Sequence, residues 1–263
     1  MTKLAVQEAL LPGGGAHERL AAAADLGFRG VEFAAADLDE RLDEIYAALQ
    51  AQGLVASGVN MGMASGWLAA DRATRADAAD SLRRALTCAL DLEAEYVSFV
   101  PQYGDSDLPD LTPFASPLEL QKELFIWLLR GISDLADAME TKLAMLPVNR
   151  GETRFVTCLD DAAFFRRQVD DHTNITLAAN TRCLSLEEDD ITAALAAHCP
   201  ALSVVYLVDD NRRLPGRGEL PFARLAGPLR SADFAGWLVL AGECDGAADL
   251  SDCLDYLRRC QVI

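Results

Sequence analysis

The sequence predicts an α/β protein, a single (β/α)8 TIM barrel, from three observations. Eight short apolar runs alternate with longer segments of helical periodicity along the 263 residues. Strands that are nearly continuous apolar runs, each followed by a helix, indicate a parallel sheet covered on its outer face. Eight such units in about 250 residues is the size of a closed barrel. No linker-like or repeated segment divides the chain, so residues 1–263 are predicted to form one domain.

The order of elements follows from these runs. The predicted strands are residues 4–6, 30–33, 55–59, 96–100, 143–148, 175–178, 203–208 and 237–240. The predicted helices are residues 16–26, 38–52, 73–92, 117–139, 160–169, 188–198, 222–229 and 248–259. In the third helix, Leu82, Ala85, Leu86 and Ala89 recur at the spacing of one buried face. A doubly wound sheet is the competing fold, but residues 12–15 lack the Gly-x-Gly-x-x-Gly spacing and are predicted to be a flexible loop.

The charge balance limits the partners of the chain. Lys and Arg total 23 against 41 Asp and Glu, a formal net charge of −18. Such a surface repels phosphate backbones and anionic headgroups, which argues against nucleic-acid and membrane binding. No apolar run reaches the roughly 18 residues of a spanning helix, and Gln7 and Glu8 interrupt the N-terminal apolar run. We therefore expect a cytoplasmic protein.

The cysteines point to the same compartment. There are seven, an odd number, scattered along the chain without a Cys-x-x-Cys pair. This pattern predicts reduced, mostly buried thiols and neither a disulfide framework nor a zinc knuckle. Cys183 differs by its position just after a predicted strand, where the neighbouring Arg182 could lower its pKa. No histidine is placed to act as its partner base, so a quiet buried thiol is the favoured interpretation.

Chemistry in such a barrel is expected at the carboxyl ends of the strands. Gln7, Glu32, Asn60 and Gln102 fall there, followed by three polar segments, 146–153, 180–188 and 206–218. These segments concentrate six arginines on one rim: Arg150, Arg154, Arg182, Arg212, Arg213 and Arg217. Guanidinium groups bind carboxylates and phosphates, so an anion site is one interpretation. Pairing with nearby carboxylates of the chain, such as Glu187 and Asp210, is the equal alternative for any single arginine.

The same segments carry a resemblance to a known family. The motifs are Gly27-Phe-Arg-Gly-Val-Glu-Phe33, Leu146-Pro-Val-Asn-Arg150, Asn180-Thr-Arg-Cys183 and Tyr206-Leu-Val-Asp209, the last followed by Arg212 and Pro215-Gly-Arg-Gly218. Their order resembles the xylose-isomerase-like TIM barrels of the sugar phosphate isomerase and epimerase type. The corresponding family motifs read Glu-Pro-Leu-Asn-Arg, Asp-Thr-Phe-His and His-Leu-x-Asp, with a Glu at the eighth strand. The likeness covers nearly the whole chain.

The departures from that pattern fall on one site. The resemblance implies a divalent metal held by residues that here correspond to Leu146, Asn180, Tyr206 and Ala241. None is a carboxylate or an imidazole, the donors such ions require, and the family's two glutamates also serve as its acid–base pair. We expect no metal and no cofactor, with Tyr206 filling the vacated volume. Glu243, two residues after Ala241, is the alternative eighth-strand counterpart.

Part of the family site is retained, at Asn149, Arg150, Glu152, Asp209, Arg212, Pro215, Gly216 and Gly218. The predicted ligand-binding residues include both retained and replaced positions. These are Arg150, Glu152, Asn180, Cys183, Tyr206, Asp209, Arg212 and Arg217. The resemblance implies that Glu152 and Arg212 contact the sugar. We predict a non-catalytic binder of a sugar, sugar acid or sugar phosphate, or a partner subunit, and a homo-oligomer is possible.

Active enzymes are the alternative prediction. One is a metal-free isomerase or epimerase with Glu152 as base. Another holds a relocated metal on Glu243, Asp209 and Glu32. The endonuclease IV branch is excluded, because the three histidines (His17, His172 and His198) lie in or beside predicted helices and the net charge is wrong for DNA.

Overall fold

Eight parallel strands close into a barrel in chain order. The structure is a computed structural model and describes residues 3–263. The strands are β1 Lys3–Gln7, β2 Gly30–Ala34, β3 Val55–Asn60, β4 Tyr96–Phe99, β5 Lys142–Met145, β6 Ile175–Asn180, β7 Leu202–Leu207 and β8 Trp237–Leu240. Pairing of β1 with β8, which sets Leu4 opposite Leu238, closes the ring. The predicted single (β/α)8 barrel is therefore confirmed.

Helices connect the strands on the outside of the barrel. Within residues 3–263 they are α1 Ala16–Asp25, α2 Leu42–Gln52, α3 Arg72–Asp91, α4 Pro117–Ala138, α5 Leu159–Arg167, α6 Thr181–Glu187, α7 Ile191–His198, α8 Phe222–Ser231 and α9 Ala247–Arg259. Short 3-10 turns span Glu8–Leu10, Asp39–Arg41 and Cys199–Ala201. Several predicted bounds were wrong in detail. The predicted sixth helix, residues 188–198, begins at Ile191, and the helix α6 precedes it. The predicted second helix began at residue 38, whereas Asp39–Arg41 form a 3-10 turn before α2. The fifth strand, predicted to reach residue 148, ends at Met145, just before Leu146 and Pro147, and a proline has no N–H to donate to a ladder.

The barrel interior combines three large aromatic side chains with small ones. Tyr96, Tyr206 and Trp237 are at most 2% exposed and fill the centre. The residues packed with them are Ala5, Ala144, Leu146, Ala178, Val204, Val208, Val239 and Ala241. Gly58 on β3 is needed for this packing, because a Cβ there would lie 2.3 Å from the Tyr96 ring. Alternating small and large residues thus make the interior a filled core and not a pore.

A second apolar layer joins the barrel to its helices. Phe125 of α4 stacks edge-on against Phe165 of α5, with ring centroids 4.8 Å apart, and both are buried. A capping box in which Ser116 and Glu119 bond each other's backbone begins α4. Helices held in this way fix the strand ends that carry the site. None of the helices within residues 3–263 combines the length and apolar character that crossing a bilayer requires.

Candidate functional site

Polar side chains converge at the carboxyl end of the barrel, which we call the mouth. They line two adjoining cavities of about 480 and 340 Å³. Both cavities are lined by Gln7 at the end of β1, Asn60 at the end of β3, Tyr103 and Leu146. Gln7, Asn60 and Glu32, which lines the larger cavity, were predicted to lie here because parallel strands present their carboxyl ends at one edge. Gln102 is not among the lining residues.

The floor of the mouth is a buried carboxylate surrounded by donors. Glu32 of β2 is 1% exposed. Its Oε1 accepts hydrogen bonds from the hydroxyls of Tyr206 at 2.6 Å and Tyr96 at 2.7 Å. Its Oε2 accepts from Gln7 Nε2 at 2.9 Å and Asn60 Nδ2 at 3.2 Å. Every oxygen of Glu32 is therefore engaged by neutral groups of four different strands.

A further hydroxyl completes this network, and burial governs its protonation. Tyr206 Oη lies 2.6 Å from Ser98 Oγ; because a phenol carries one proton and Tyr206 gives it to Glu32, Ser98 donates to Tyr206. Burial raises the pKa of Glu32 above its ordinary value, although the four donors oppose the shift. Burial and the nearby Glu32 raise the pKa values of Tyr96 and Tyr206 well above 10. Both phenols therefore stay protonated and act as donors.

Five of the predicted ligand-binding residues line the smaller cavity. They are Glu152, Asn180, Cys183, Tyr206 and Arg212. The hydrogen bonds found within residues 3–263 include none from the side chain of Arg212, which is exposed at φ 70° in the loop after β7. The same cavity also receives Arg182, whose Nε donates to the carbonyl of Asp210 at 3.2 Å.

Asn180 and Cys183 have contacts within the protein that define their chemical state. Asn180 ends β6 and caps α6, its Oδ1 accepting from the backbone N–H groups of Arg182 at 3.0 Å and Cys183 at 3.2 Å. Burial, followed by the nearby Glu152, raises the pKa of the Cys183 thiol. Arg182 therefore does not activate this cysteine, which is a quiet buried thiol.

The other three predicted residues lie outside the cavity lining. Arg150 is 78% exposed and pairs with Glu187 of α6 at 3.1 Å. The guanidinium of Arg217 bonds Asp249 at 2.7 Å and Asp252 at 2.8 Å on α9. Asp209 is fully buried. The pairing alternative applies to both arginines.

Asp209 organises the loop that carries Arg212. Its Oδ2 accepts from the N–H groups of Gly216 and Gly218, each at 2.9 Å. Its Oδ1 accepts from those of Asp210 and Leu220, each at 3.0 Å. Gly218 is required for this wrapping, because a Cβ there would lie 2.5 Å from Asp209 Oδ1. The Asp209 carboxylate therefore holds the backbone of this loop through four N–H groups.

The alternation of side chains along β8 shows which residue beyond the strand faces the barrel interior. Trp237, Val239 and Ala241 all pack in the barrel interior with Tyr206. Glu243 follows the turn at Gly242 (φ 109°), where its N–H donates to the Arg212 carbonyl at 2.7 Å. Ala241 is thus the inward-facing residue of the eighth strand, and Glu243 lines the cavity from the loop beyond it.

The donor set of the mouth does not fit a divalent cation at the positions that the sequence resemblance implies. Leu146 and Ala241 offer no donor atom. Asn180 Oδ1 already accepts two N–H groups, and the Tyr206 hydroxyl is held by Glu32 and Ser98. Across residues 3–263, no three His, Cys, Asp or Glu side chains come together in a way that could hold a metal ion.

Sequence reasoning missed one charged group at the mouth. Arg19 of α1 and Arg41 of the 3-10 turn before α2 line the larger cavity together with Glu8. Glu8 directly follows β1, whereas Arg19 and Arg41 lie beyond the strand ends on which the prediction concentrated. Tyr96 and Ser98 of the floor network were also missed, although their inward positions on β4 follow from the alternation of a strand.

The closed parallel barrel, with polar cavities at the carboxyl ends of its strands, defines the protein as a TIM barrel. The family profile described as a xylose isomerase-like TIM barrel matches residues 20–260. The chain belongs to this xylose isomerase-like TIM-barrel family.

Its relatives include sugar epimerases. The chain is 25% identical over 244 residues to the 3-dehydro-D-guloside 4-epimerase of Escherichia coli (strain K12), covering 90% of this chain and 91% of the relative. It is 26% identical over 112 residues to the D-psicose 3-epimerase of Ruminiclostridium cellulolyticum, 43% of this chain and 38% of the relative.

Solved structures agree on the fold. The apo 3-keto-D-glucoside 4-epimerase from E. coli superposes with a TM-score of 0.89 at 24% identity, covering 99% of this chain and 100% of that one. The D-psicose 3-epimerase from Clostridium cellulolyticum H10, solved with D-tagatose, gives a TM-score of 0.82 at 20% identity, covering 98% and 99%.

Proposed function

We propose that this chain binds a sugar or sugar derivative in the barrel mouth without a divalent metal, and that it does not catalyse metal-dependent epimerisation. The observation that carries the proposal is the donor set on the floor of the mouth. Leu146, Asn180, Tyr206 and Ala241 occupy the positions at which the family resemblance implies metal ligands, and none has a free anionic or imidazole donor.

The same positions also lack the acid–base pair that the family resemblance implies for epimerisation. Moving a proton at a sugar carbon requires a base within hydrogen-bond reach of that carbon and an acid for its return. Leu146 and Ala241 cannot accept a proton. The carboxylate of Glu32 is covered by four donors, and burial keeps the Tyr206 phenol protonated. These contacts support the view that Glu32 and Tyr206 shape the cavity and take no part in proton transfer.

Sugar recognition is supported by what remains in the mouth. Gln7, Asn60 and Glu152 combine donors and acceptors around the two cavities, and Arg212 adds a guanidinium without a hydrogen bond inside residues 3–263. Amide and carboxylate groups of this kind bond vicinal hydroxyls. The sugars named for the relatives fit this chemistry.

The test combines metal analysis with ligand binding. The purified protein is exchanged into buffer with excess manganese, desalted and analysed for metal. The E. coli relative is carried through the same steps for comparison. Binding of ketohexoses, aldoses and aldonates is then measured by calorimetry with and without EDTA. We expect substoichiometric metal and sugar binding that EDTA does not change.

Two results would overturn the proposal. Stoichiometric manganese that EDTA removes together with sugar binding would restore a metal-dependent site. Incorporation of solvent deuterium into a sugar carbon in the presence of EDTA would instead indicate a metal-free isomerase or epimerase. In that case Glu152, which lines the cavity, is the first base to substitute.

A further inference from the structure

A three-residue charge cluster, none of whose members belongs to a motif of the sequence resemblance, forms one wall of the larger cavity. Glu8 lies in the 3-10 turn after β1, Arg19 on α1 and Arg41 in the 3-10 turn before α2. The Glu8 side chain is 7% exposed, whereas those of Arg19 and Arg41 are 32% and 34% exposed. The carboxylate is therefore inside the cluster, and the two guanidinium groups form its accessible surface.

The hydrogen bonds of the cluster leave cationic donors available. Arg41 holds Glu8 with two nitrogens, Nη2 at 2.5 Å from Oε1 and Nη1 at 3.2 Å from Oε2. Arg19 Nη1 donates to Oε1 at 3.3 Å, and its Nε donates to the Gly13 carbonyl at 3.2 Å. These four bonds leave most of the guanidinium N–H groups without a protein acceptor within residues 3–263, since each guanidinium carries several donors.

The charge of the cluster is positive in a strongly acidic protein. Two arginines against one carboxylate give a formal surplus of one positive charge, whereas the whole chain carries −18. Of the nearby carboxylates, Glu44 is exposed, accepts the Ala16 N–H at 2.9 Å and, after Glu8, raises the pKa of Arg41 by its charge, but it does not line the cavity. Glu32, which lines the same cavity, is 1% exposed beneath its own four donors. The accessible charge on this wall is therefore that of the guanidinium groups.

The location ties this charge to the proposed sugar site. The cavity that Arg19 and Arg41 line is also lined by Gln7 and Asn60, which border the second cavity. A sugar hydrogen-bonded to these two amides could therefore extend a terminal group towards the arginines. Paired guanidinium groups bind carboxylates and phosphates through several charge-assisted hydrogen bonds.

We infer that Arg19 and Arg41 form a subsite for the anionic terminal group of the ligand, so that the mouth selects a sugar acid or sugar phosphate over the neutral sugar. Glu8 orients the two guanidinium groups and sets the surplus charge at one. This inference rests on the proposed sugar-binding function, because the amides at Gln7 and Asn60 must hold the rest of the ligand.

Calorimetry on matched ligand pairs and three variants tests the inference. The probes are C5 and C6 aldoses, the corresponding aldonates, aldose phosphates and inorganic phosphate. Arg41→Gln removes one cation, Glu8→Gln raises the surplus charge, and Arg83→Gln on the exposed face of α3 is the control. We expect Arg41→Gln to weaken the binding of anionic probes by about 10-fold and to leave the binding of neutral aldoses unchanged. Glu8→Gln should increase the affinity for anionic probes, and Arg83→Gln should change the affinity for neither series.

Each outcome decides one point. Aldonates favoured over aldose phosphates identify a carboxylate subsite, and the reverse order identifies a phosphate subsite. Equal binding of neutral and anionic probes by the unchanged protein overturns the inference and leaves sugar binding standing. A purely structural ion cluster would make Arg41→Gln and Glu8→Gln less stable in thermal denaturation without changing the preference between probes. If no probe of any series binds, the inference and the proposed function both fall.

Discussion

The hydroxyl of Tyr206 lies 2.6 Å from Glu32 Oε1, which joins β7 to β2 across the inside of the barrel. The two residues are 174 positions apart in the chain. Tyr206 stands at the position where the family resemblance implies a histidine ligand. Its phenol gives the buried Glu32 a neutral donor, and its ring fills the centre of the interior core. Tyr206 thus contributes to both the packing and the electrostatics of the barrel interior.

Tyr206→Phe should destabilise the fold without opening a large cavity. The variant removes one of four donors from a buried carboxylate and leaves the Ser98 hydroxyl without its acceptor. Removing one partner of a buried charged hydrogen bond costs about 1–3 kcal/mol. Urea denaturation measures the free energy of unfolding, and Tyr46→Phe, at a tyrosine that is 46% exposed, is the control. An unchanged midpoint for Tyr206→Phe would show that the network contributes no stability.

Glu32 should make the stability of the protein depend on pH. Its folded-state pKa is raised above 4.5 by burial. Below pH 4.5 the group is protonated in both the folded and the unfolded state. As the pH rises, the unfolded state releases the proton first, so stability declines until Glu32 also ionises in the folded protein.

The variant Glu32→Gln isolates this contribution. The difference in free energy of unfolding between the variant and the unchanged protein should shift in favour of the variant as pH rises from 4.5. Urea denaturation at several pH values measures it. Carboxylates with lowered pKa values, such as Asp71 and Asp110, act in the opposite direction at acidic pH but are common to both proteins. A difference that stays constant with pH would contradict a raised pKa at Glu32.

The sequence was sufficient for the barrel because each strand is a local apolar run, and closure follows from the number of such runs. It was insufficient for α6, Thr181–Glu187. Seven residues are too few to establish a helical period, and the prediction placed no helix there. Asn180 is the one local signal, since asparagine is a preferred N-cap.

The charged wall of the mouth was missed for a different reason. Arg19 and Arg41 come from segments that follow β1 and β2 but lie well beyond the strand ends. Their approach to Glu8 depends on how α1 and α2 pack, which no spacing in the sequence encodes. By contrast, Arg212 and Glu152, which the family resemblance singles out, lie in loops that follow strands and line the smaller cavity. Patterns in the sequence therefore locate residues near strand ends better than residues whose position depends on how helices pack.

Introducing the ligands that the family resemblance implies should create a metal site. The variant Leu146→Glu, Asn180→Asp, Tyr206→His and Ala241→Glu supplies three carboxylates and an imidazole, the donors that manganese prefers. We expect about one manganese per chain by elemental analysis, and a rise in melting temperature with added metal because the ion binds the folded state alone. The triple variant that keeps Ala241 is the matched control. If it binds manganese equally well, the loop carboxylate of Glu243 serves as the fourth ligand.

The variants Asp209→Asn and Arg212→Gln should distinguish residues that stabilise the loop after β7 from residues that contact the ligand. Asp209 accepts four backbone N–H groups, and an amide nitrogen in place of one oxygen would face two of them as a donor. We expect Asp209→Asn to lower the free energy of unfolding by about 3 kcal/mol, because buried donors lose charged acceptors. Arg212→Gln, at an exposed side chain, should change it by less than about 0.5 kcal/mol.

The two variants should differ in the opposite sense in their affinity for sugar. Arg212→Gln should weaken binding by about 10-fold while the fold keeps its stability, since a charge-assisted hydrogen bond to the ligand is lost. Asp209→Asn should weaken binding only to the extent that it disorders the loop, so lowering the temperature should restore affinity to that variant and not to Arg212→Gln. Calorimetry at two temperatures makes the comparison. Full-strength binding by Arg212→Gln would remove this arginine from the site, and would leave the amides and Glu152 as the groups that recognise the sugar.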